Sequence, residues 1–250
     1  MGRETMVGQG VVITGTDTGV GKTVVAAALA ALWRALGDEV TYVKPVQSGT
    51  ADGDNDAAEV GSLAGVATMT GRRIGPALAP GVAARLVGEE LAYPALVTTV
   101  QDTAAPRIRL VVEGAGGLLV ELGSDGTTLA DLTAALGLPL LIVARPGLGT
   151  LNHTALTVEA IARRSLDCIG VVVGCYPGRP DLAARTNLPE LDRITGGRLL
   201  GVVPELKLQG PDPLAGCENW FGPELGGRWD KQQVLGAGRA TPADGWHGVT

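Results

Sequence analysis

The run Val11-Val12-Ile13-Thr14-Gly15-Thr16-Asp17-Thr18-Gly19-Val20-Gly21-Lys22-Thr23 limits what this chain can fold into more than any other. A short β-branched stretch, Gly10–Thr14, enters a glycine-rich turn and leaves it through Gly-Lys-Thr into a helical pattern from Lys22 to about Leu36. Glycines in such a turn let successive backbone N–H groups converge on phosphate oxygens. The lysine at the turn's end can reach β- and γ-phosphates, and the following hydroxyl can ligate Mg²⁺. A helix opening at Lys22 adds its positive N-terminal pole. The common spacing places glycine five residues before Gly21, where this chain has Thr16; Gly15 stands one further back, so the loop is one residue longer. A purely structural glycine turn is the alternative. Strand, loop, Gly-Lys-Thr and helix occurring together favour phosphate binding.

Beyond the loop, apolar strand-like runs alternate with helical patterns. Strands are expected at Thr41–Lys44, Leu110–Glu113, Leu140–Ala144, Ile169–Val173 and Leu199–Val203, with Leu118–Leu122 extended. Helices are expected at Asp56–Leu63, Val82–Val87, Pro94–Thr103, Thr128–Ala135, Leu151–Arg164 and Leu182–Ile194, and Gly71–Pro80 reads as a connection. This alternation predicts an α/β fold: a mostly parallel sheet with helices on both faces, in a three-layer arrangement like that of phosphate-loop NTPases. Aromatic residues are only 3% of the chain, so Ala, Val and Leu must fill the core. Residues 1–225 read as one domain, and Gly226–Thr250, polar with scattered Gly, Pro and Ala, as a poorly ordered tail.

Three further places offer chemistry. Glu113 follows Leu110-Val111-Val112 and precedes Gly114-Ala115-Gly116-Gly117. A carboxylate at the carboxyl end of a buried strand is costly without a cation or hydrogen-bond partner, and ligands gather at such ends. The alternative is a strand-end Glu turned to solvent. In Asp52-Gly53-Asp54-Asn55-Asp56, one acid could serve a metal while the others form a solvated turn and a helix cap. Lys44-Pro45-Val46 also ends a strand, and Lys44 could hold a carboxylate or a migrating phosphoryl group, or lie on the surface.

The formal charge of −6, without a long basic run, speaks against nucleic-acid binding. Cys168, Cys175 and Cys217 have neither zinc-ligand nor framework spacing, which predicts reduced thiols and a cytoplasmic chain. Met1–Gly10 has no apolar run of the signal-peptide kind, and Met1–Met6 reads as an extension ahead of an internal start. No stretch approaches the ~18 consecutive apolar residues of a membrane span.

Taken in order, Gly15–Thr23, Lys44-Pro45-Val46-Gln47-Ser48-Gly49, Glu113–Gly117 and Gly149-Thr150-Leu151-Asn152-His153 resemble the dethiobiotin synthetase family from about Val11 to Val203, with weaker support at Asn219-Trp220. The resemblance implies an ATP-dependent cyclo-ligase that joins CO₂ to 7,8-diaminononanoate through a carbamic–phosphoric anhydride, with ATP as co-substrate and Mg²⁺ as cofactor. It implies nucleotide contacts from Asp17, Thr18, Gly19, Val20, Gly21, Lys22, Thr23, Val24, Glu113, Gly174 and Pro204. Thr23, Asp56 and Glu113 would hold the metal. Lys22, Lys44 and Thr18 would be the catalytic set, and Lys44, Ser48 and Gly114, Ala115, Gly116 and Gly117 would meet the carbamate and diamine. Gly149, Thr150, Leu151 and Asn152 would receive the substrate carboxylate across a homodimer interface, with His153 structural.

Two departures stand out. Gly174-Cys175-Tyr176-Pro177 follows the Ile169–Val173 strand where members that select adenine often carry Asn, which predicts weakened discrimination among nucleoside triphosphates. Arg145-Pro146 replaces a more usual acidic residue, and the sequence gives it no role. The rivals are a partitioning-type switch ATPase, which usually has a lysine where this chain has Asp17, and an amidotransferase synthetase, which would want a glutaminase domain. A non-enzymatic nucleotide-binding protein is the third.

Overall fold

The computed structural model describes residues 10–206 and 212–237. Seven parallel strands form one sheet: β1 (Gly10–Gly15), β2 (Glu39–Gln47), β3 (Ala67–Arg73), β4 (Ile108–Gly117), β5 (Leu140–Ala144), β6 (Cys168–Tyr176) and β7 (Leu199–Pro204). Their order is β3-β2-β4-β1-β5-β6-β7. The chain builds one half outward from β1, returns through β4, and then builds the other half from β5. β1 is therefore central, and the crevice outside its carboxyl end is where an open α/β sheet holds ligands.

The helices are α1 (Lys22–Ala35), α2 (Asp56–Ala64), α3 (Pro80–Val87), α4 (Tyr93–Gln101), α5 (Leu129–Leu136), α6 (Thr150–Arg163), α7 (Leu182–Ile194) and α8 (Lys231–Ala237). α1 and α2 bury Ala, Val and Leu against one sheet face, where Ala26, Ala27, Ala28 and Ala30 are fully buried. The opposite face packs against α3, α4, α5 and α6. Small side chains let helix and sheet approach closely, which suits a core so poor in aromatics.

Three expectations need correction. The Gly- and Pro-rich composition of Gly71–Pro80 predicts a connection, yet β3 runs through Gly71 to Arg73. It is an edge strand whose side chains are mostly exposed, so no apolar face announces it. Leu118–Leu122 is not a strand: it turns, with a single antiparallel bridge between Glu121 and Thr128. Its apolar character serves burial and not pairing: Leu118 and Leu122 pack inward while Leu119 is exposed. Finally, the expected tail starts as ordered structure. Trp229 is buried against α7 and β7, and α8 follows, with Lys231 Nζ 3.0 Å from Asp192 Oδ1. The rest of that segment, and the Met1–Met6 extension, lie outside the described residues.

β2 also runs on through Pro45 to Gln47. Proline is tolerated there because pairing with β4 stops at Val43, leaving no ladder partner on that side for the missing N–H.

Candidate active site

The carboxyl ends of β1, β2 and β4 open into a cleft of about 590 Å³. Its wall on one side is the loop between β1 and α1. Gly15 sits beneath that loop: a Cβ there would fall 2.6 Å from the Asp17 carbonyl oxygen and 3.0 Å from Lys22 Nζ, so the loop can fold this tightly only over glycine. Lys22 Nζ donates to the Asp17 carbonyl at 3.1 Å. Burial lowers the Lys22 pKa, against the raising influence of Glu113.

Tyr42 and Lys44 lie two residues apart in β2 and so share a face, the one toward α1. Glu113 of β4 takes the same face. Its Oε2 accepts the Tyr42 hydroxyl at 2.9 Å, while Oε1 accepts Lys44 Nζ at 2.8 Å and the Thr23 hydroxyl at 3.1 Å. Lys44 Nζ also meets Asp56 Oδ2 at 2.5 Å and the Gly114 carbonyl at 3.2 Å, which engages all three of its donors. Glu113 is 1% exposed and Lys44 4%, so each charge is compensated inside the fold. Burial works to lower the Lys44 pKa, but Glu113 and Asp56 together raise it. Burial and the Glu113 charge push the Tyr42 phenol well above its usual range.

Within the Asp52–Asp56 cluster the roles separate. Asn55 caps α2, its side chain accepting from the Ala58 N–H at 3.1 Å. Asp56 reaches Lys44, and its N–H donates to Gln47 Oε1 at 3.1 Å. Asp54 lines the cleft and Asp52 does not.

Of the expected site residues, Thr18, Gly19, Gly21, Lys22, Thr23, Val24, Lys44, Ser48, Asp56, Glu113, Ala115 and Gly116 line this one cleft. Asp17, Val20, Gly114, Gly117, Gly174 and Pro204 do not, although Gly174 packs directly behind the loop. Gly149, Thr150, Leu151 and Asn152 also lie outside it, at the start of α6. The structure adds Gln47, Glu59, Leu78, Val120 and Cys175 to the lining, and Tyr42 beneath it. Glu59 was legible in principle, because three residues after Asp56 places it on the same helix face. Burial, then the charges of Asp56 and Glu113, raise its pKa.

Thr23, Asp56 and Glu113 offer a hydroxyl and two carboxylates, the hard oxygen donors that Mg²⁺ takes alongside phosphates and waters. Among the described residues no group of three or more His, Cys, Asp or Glu could hold a metal ion. A nucleotide-bound Mg²⁺ needs no such group, since the phosphates supply ligands.

Residues 9–212 match a family model described as an AAA domain. Relatives include the ATP-dependent dethiobiotin synthetase BioD of Mycobacterium avium, 50% identical over 187 residues that cover 73% of this chain and 82% of the relative. The protein of the same name from Saccharopolyspora erythraea is 48% identical over 224 residues, covering 88% and 98%. That of Streptomyces coelicolor is 46% identical over 224 residues, covering 88% and 94%. Among solved structures, chloroplast FtsY from Physcomitrella patens superposes with a TM-score of 0.55 at 14% identity, covering 92% of this chain and 65% of that one. The MinC:MinD cell division complex of Aquifex aeolicus gives 0.52 at 13% identity, covering 80% and 82%. At such identities the structural likeness is one of fold.

Proposed function

The chain belongs to the family of ATP-dependent dethiobiotin synthetases, and from that premise we propose how its cleft carries out the family's reaction in biotin biosynthesis. The observation that carries this reading is the convergence of Lys22, Thr23, Lys44, Asp56 and Glu113 at one end of the sheet. An amine of 7,8-diaminononanoate captures CO₂ as a carbamate. A carbamate oxygen attacks the γ-phosphorus of ATP, the bond to the bridging oxygen breaks, and ADP leaves. The second amine then attacks the carbamoyl carbon, loses its proton and expels phosphate, closing the ureido ring.

No step needs a covalent bond to the protein, so the residues act by placement and by charge. Backbone N–H groups of the loop and the α1 N-terminus hold the triphosphate, with Lys22 at its outer phosphates. Lys44, fixed among Glu113, Asp56 and the Gly114 carbonyl, keeps a positive charge beside the transferred group. Ser48, Ala115 and Gly116 border the space left for the carbamate. A magnesium ion held by Thr23, Asp56 and Glu113 would neutralise charge on the phosphates.

The reading extends to a homodimer in a cytoplasmic setting. Gly149–Asn152 lie outside the chain's own cleft at the N-terminus of α6, next to Leu148, which is 88% exposed; this suits a segment completing a neighbour's site. All three cysteines are free thiols. Cys175 stands where a purine-selecting amide is expected and lines the cleft, so nucleotide choice is proposed to be loose.

The test is the product formed with ¹³C-bicarbonate, Mg²⁺, 7,8-diaminononanoate and each of ATP, CTP, GTP and UTP. The reading expects labelled dethiobiotin, with rates for the four nucleotides within about one order of magnitude of one another. Unlabelled or absent product counts against the synthetase, and a strict preference for ATP counts against the nucleotide claim alone. A switch ATPase is not favoured, since the relatives at 46–50% identity carry the dethiobiotin synthetase name.

A further inference from the structure

Arg145 follows directly after β5, and Gly15 pairs with Val143 in parallel register, so Arg145 emerges beside the mouth of the phosphate loop. Its Nη2 lies 2.9 Å from Asp17 Oδ2 and 2.9 Å from His153 Nδ1 on α6. A guanidinium only donates, so His153 Nδ1 is the acceptor in this contact. Asp17 is held twice more within the loop. Its Oδ1 accepts the Thr18 N–H at 2.8 Å, and its carbonyl accepts Lys22 Nζ at 3.1 Å. One residue thus fixes an amide of the exposed loop turn, the resting place of the phosphate lysine and a tie to another helix. Arg145 also offsets the Asp17 charge within a loop whose amides are meant for an anion.

We propose that Arg145 is a positioning residue for nucleotide binding: by gripping the Asp17 carboxylate it sets the phosphate loop and fastens it to the start of α6. This gives a role to the Arg145-Pro146 departure, and it rests on the reading of the loop as an ATP site. The pair is partly exposed, at 38% and 49%, so it adds little to global stability. Its loss should therefore register in ligand binding and not in melting.

The experiment measures ATP affinity by calorimetry with Mg²⁺, kcat and KM with the diamine, and melting temperature. The proteins are the wild type, Lys22→Ala, Arg145→Ala, Arg145→Lys, Asp17→Asn and the Arg145→Ala/Asp17→Asn double variant. Arg145→Ala and Asp17→Asn should each raise Kd and KM for ATP about two- to fivefold with kcat nearly unchanged. The double variant should be no worse than the worse single, Arg145→Lys should recover part of the affinity, and melting should move by less than about 3 °C. Wild-type affinity in Arg145→Ala while Lys22→Ala loses ATP would overturn the inference and leave the ATP site standing. So would additive single effects, or a large melting shift without a change in Kd. A wild type that does not bind ATP overturns the loop reading and the inference with it.

Discussion

Lys44 is a charged side chain kept inside the fold by its partners, and those partners make it indispensable. Removing it would leave Glu113 buried and Asp56 half-buried without their counter-charge. Breaking such a pair costs about 3–5 kcal/mol, so Lys44→Met should lower unfolding free energy by that order in urea titrations. A change below about 1 kcal/mol would mean that the carboxylates find other partners. Glu59 makes the opposite case. Its raised pKa means that the fold prefers its neutral form, so its contribution is favourable at low pH and fades as pH rises through the folded value. Glu59→Gln should therefore raise the melting temperature at pH 7–8, and the gain should vanish toward pH 4; a gain independent of pH contradicts the assignment. At this scale the sequence was informative where a charge ended an apolar run, as at Lys44 and Glu113. It was silent on Tyr42, whose hydroxyl matters only because β2 lies next to β4.

Among the elements, the phosphate loop is shaped as much by β6 as by its own glycines. A Cβ on Gly174 would come 2.3 Å from the Val20 carbonyl oxygen and 3.0 Å from Val143 Cγ1. The first contact is with backbone and cannot be relieved by a rotamer change. Gly174→Ala should push the loop out of place, costing about 1–3 kcal/mol of stability and weakening ATP binding about tenfold or more. Unchanged ATP affinity by calorimetry would show that the loop is indifferent to its backing strand. Just after it, Cys175 adopts a left-handed backbone (φ 51°) as β6 shifts register against β7, which brings its side chain to the cleft. The order of helices and central strands was legible because both read as periodic or continuous apolar patterns. α7 spans Leu182–Ile194 as expected. β3 has no signature in the sequence because an exposed edge strand has no buried face to pattern, and Leu118–Leu122 looks extended because burial alone does not distinguish a packed turn from a strand.

For the whole molecule, the sheet order explains why residues distant in sequence share one cleft. Central β1 carries the phosphate loop, and β4 and β2 on one flank deliver Glu113 and Lys44 to the same edge. The start of α6, on the other flank, carries the Gly149–Asn152 motif away from that cleft, which the homodimer reading explains. Light scattering should accordingly give about twice the 25.4 kDa chain mass, and a monomer at assay concentration would remove the proposed role of α6. Whether the cleft couples ATP to ring closure is decided by phosphate release from ATP and Mg²⁺, with and without bicarbonate and 7,8-diaminononanoate. A synthetase should release phosphate only when both co-substrates are present, one phosphate for each dethiobiotin formed. Release that proceeds equally without the diamine would contradict it, leaving a phosphate-loop ATPase whose cleft serves some other end.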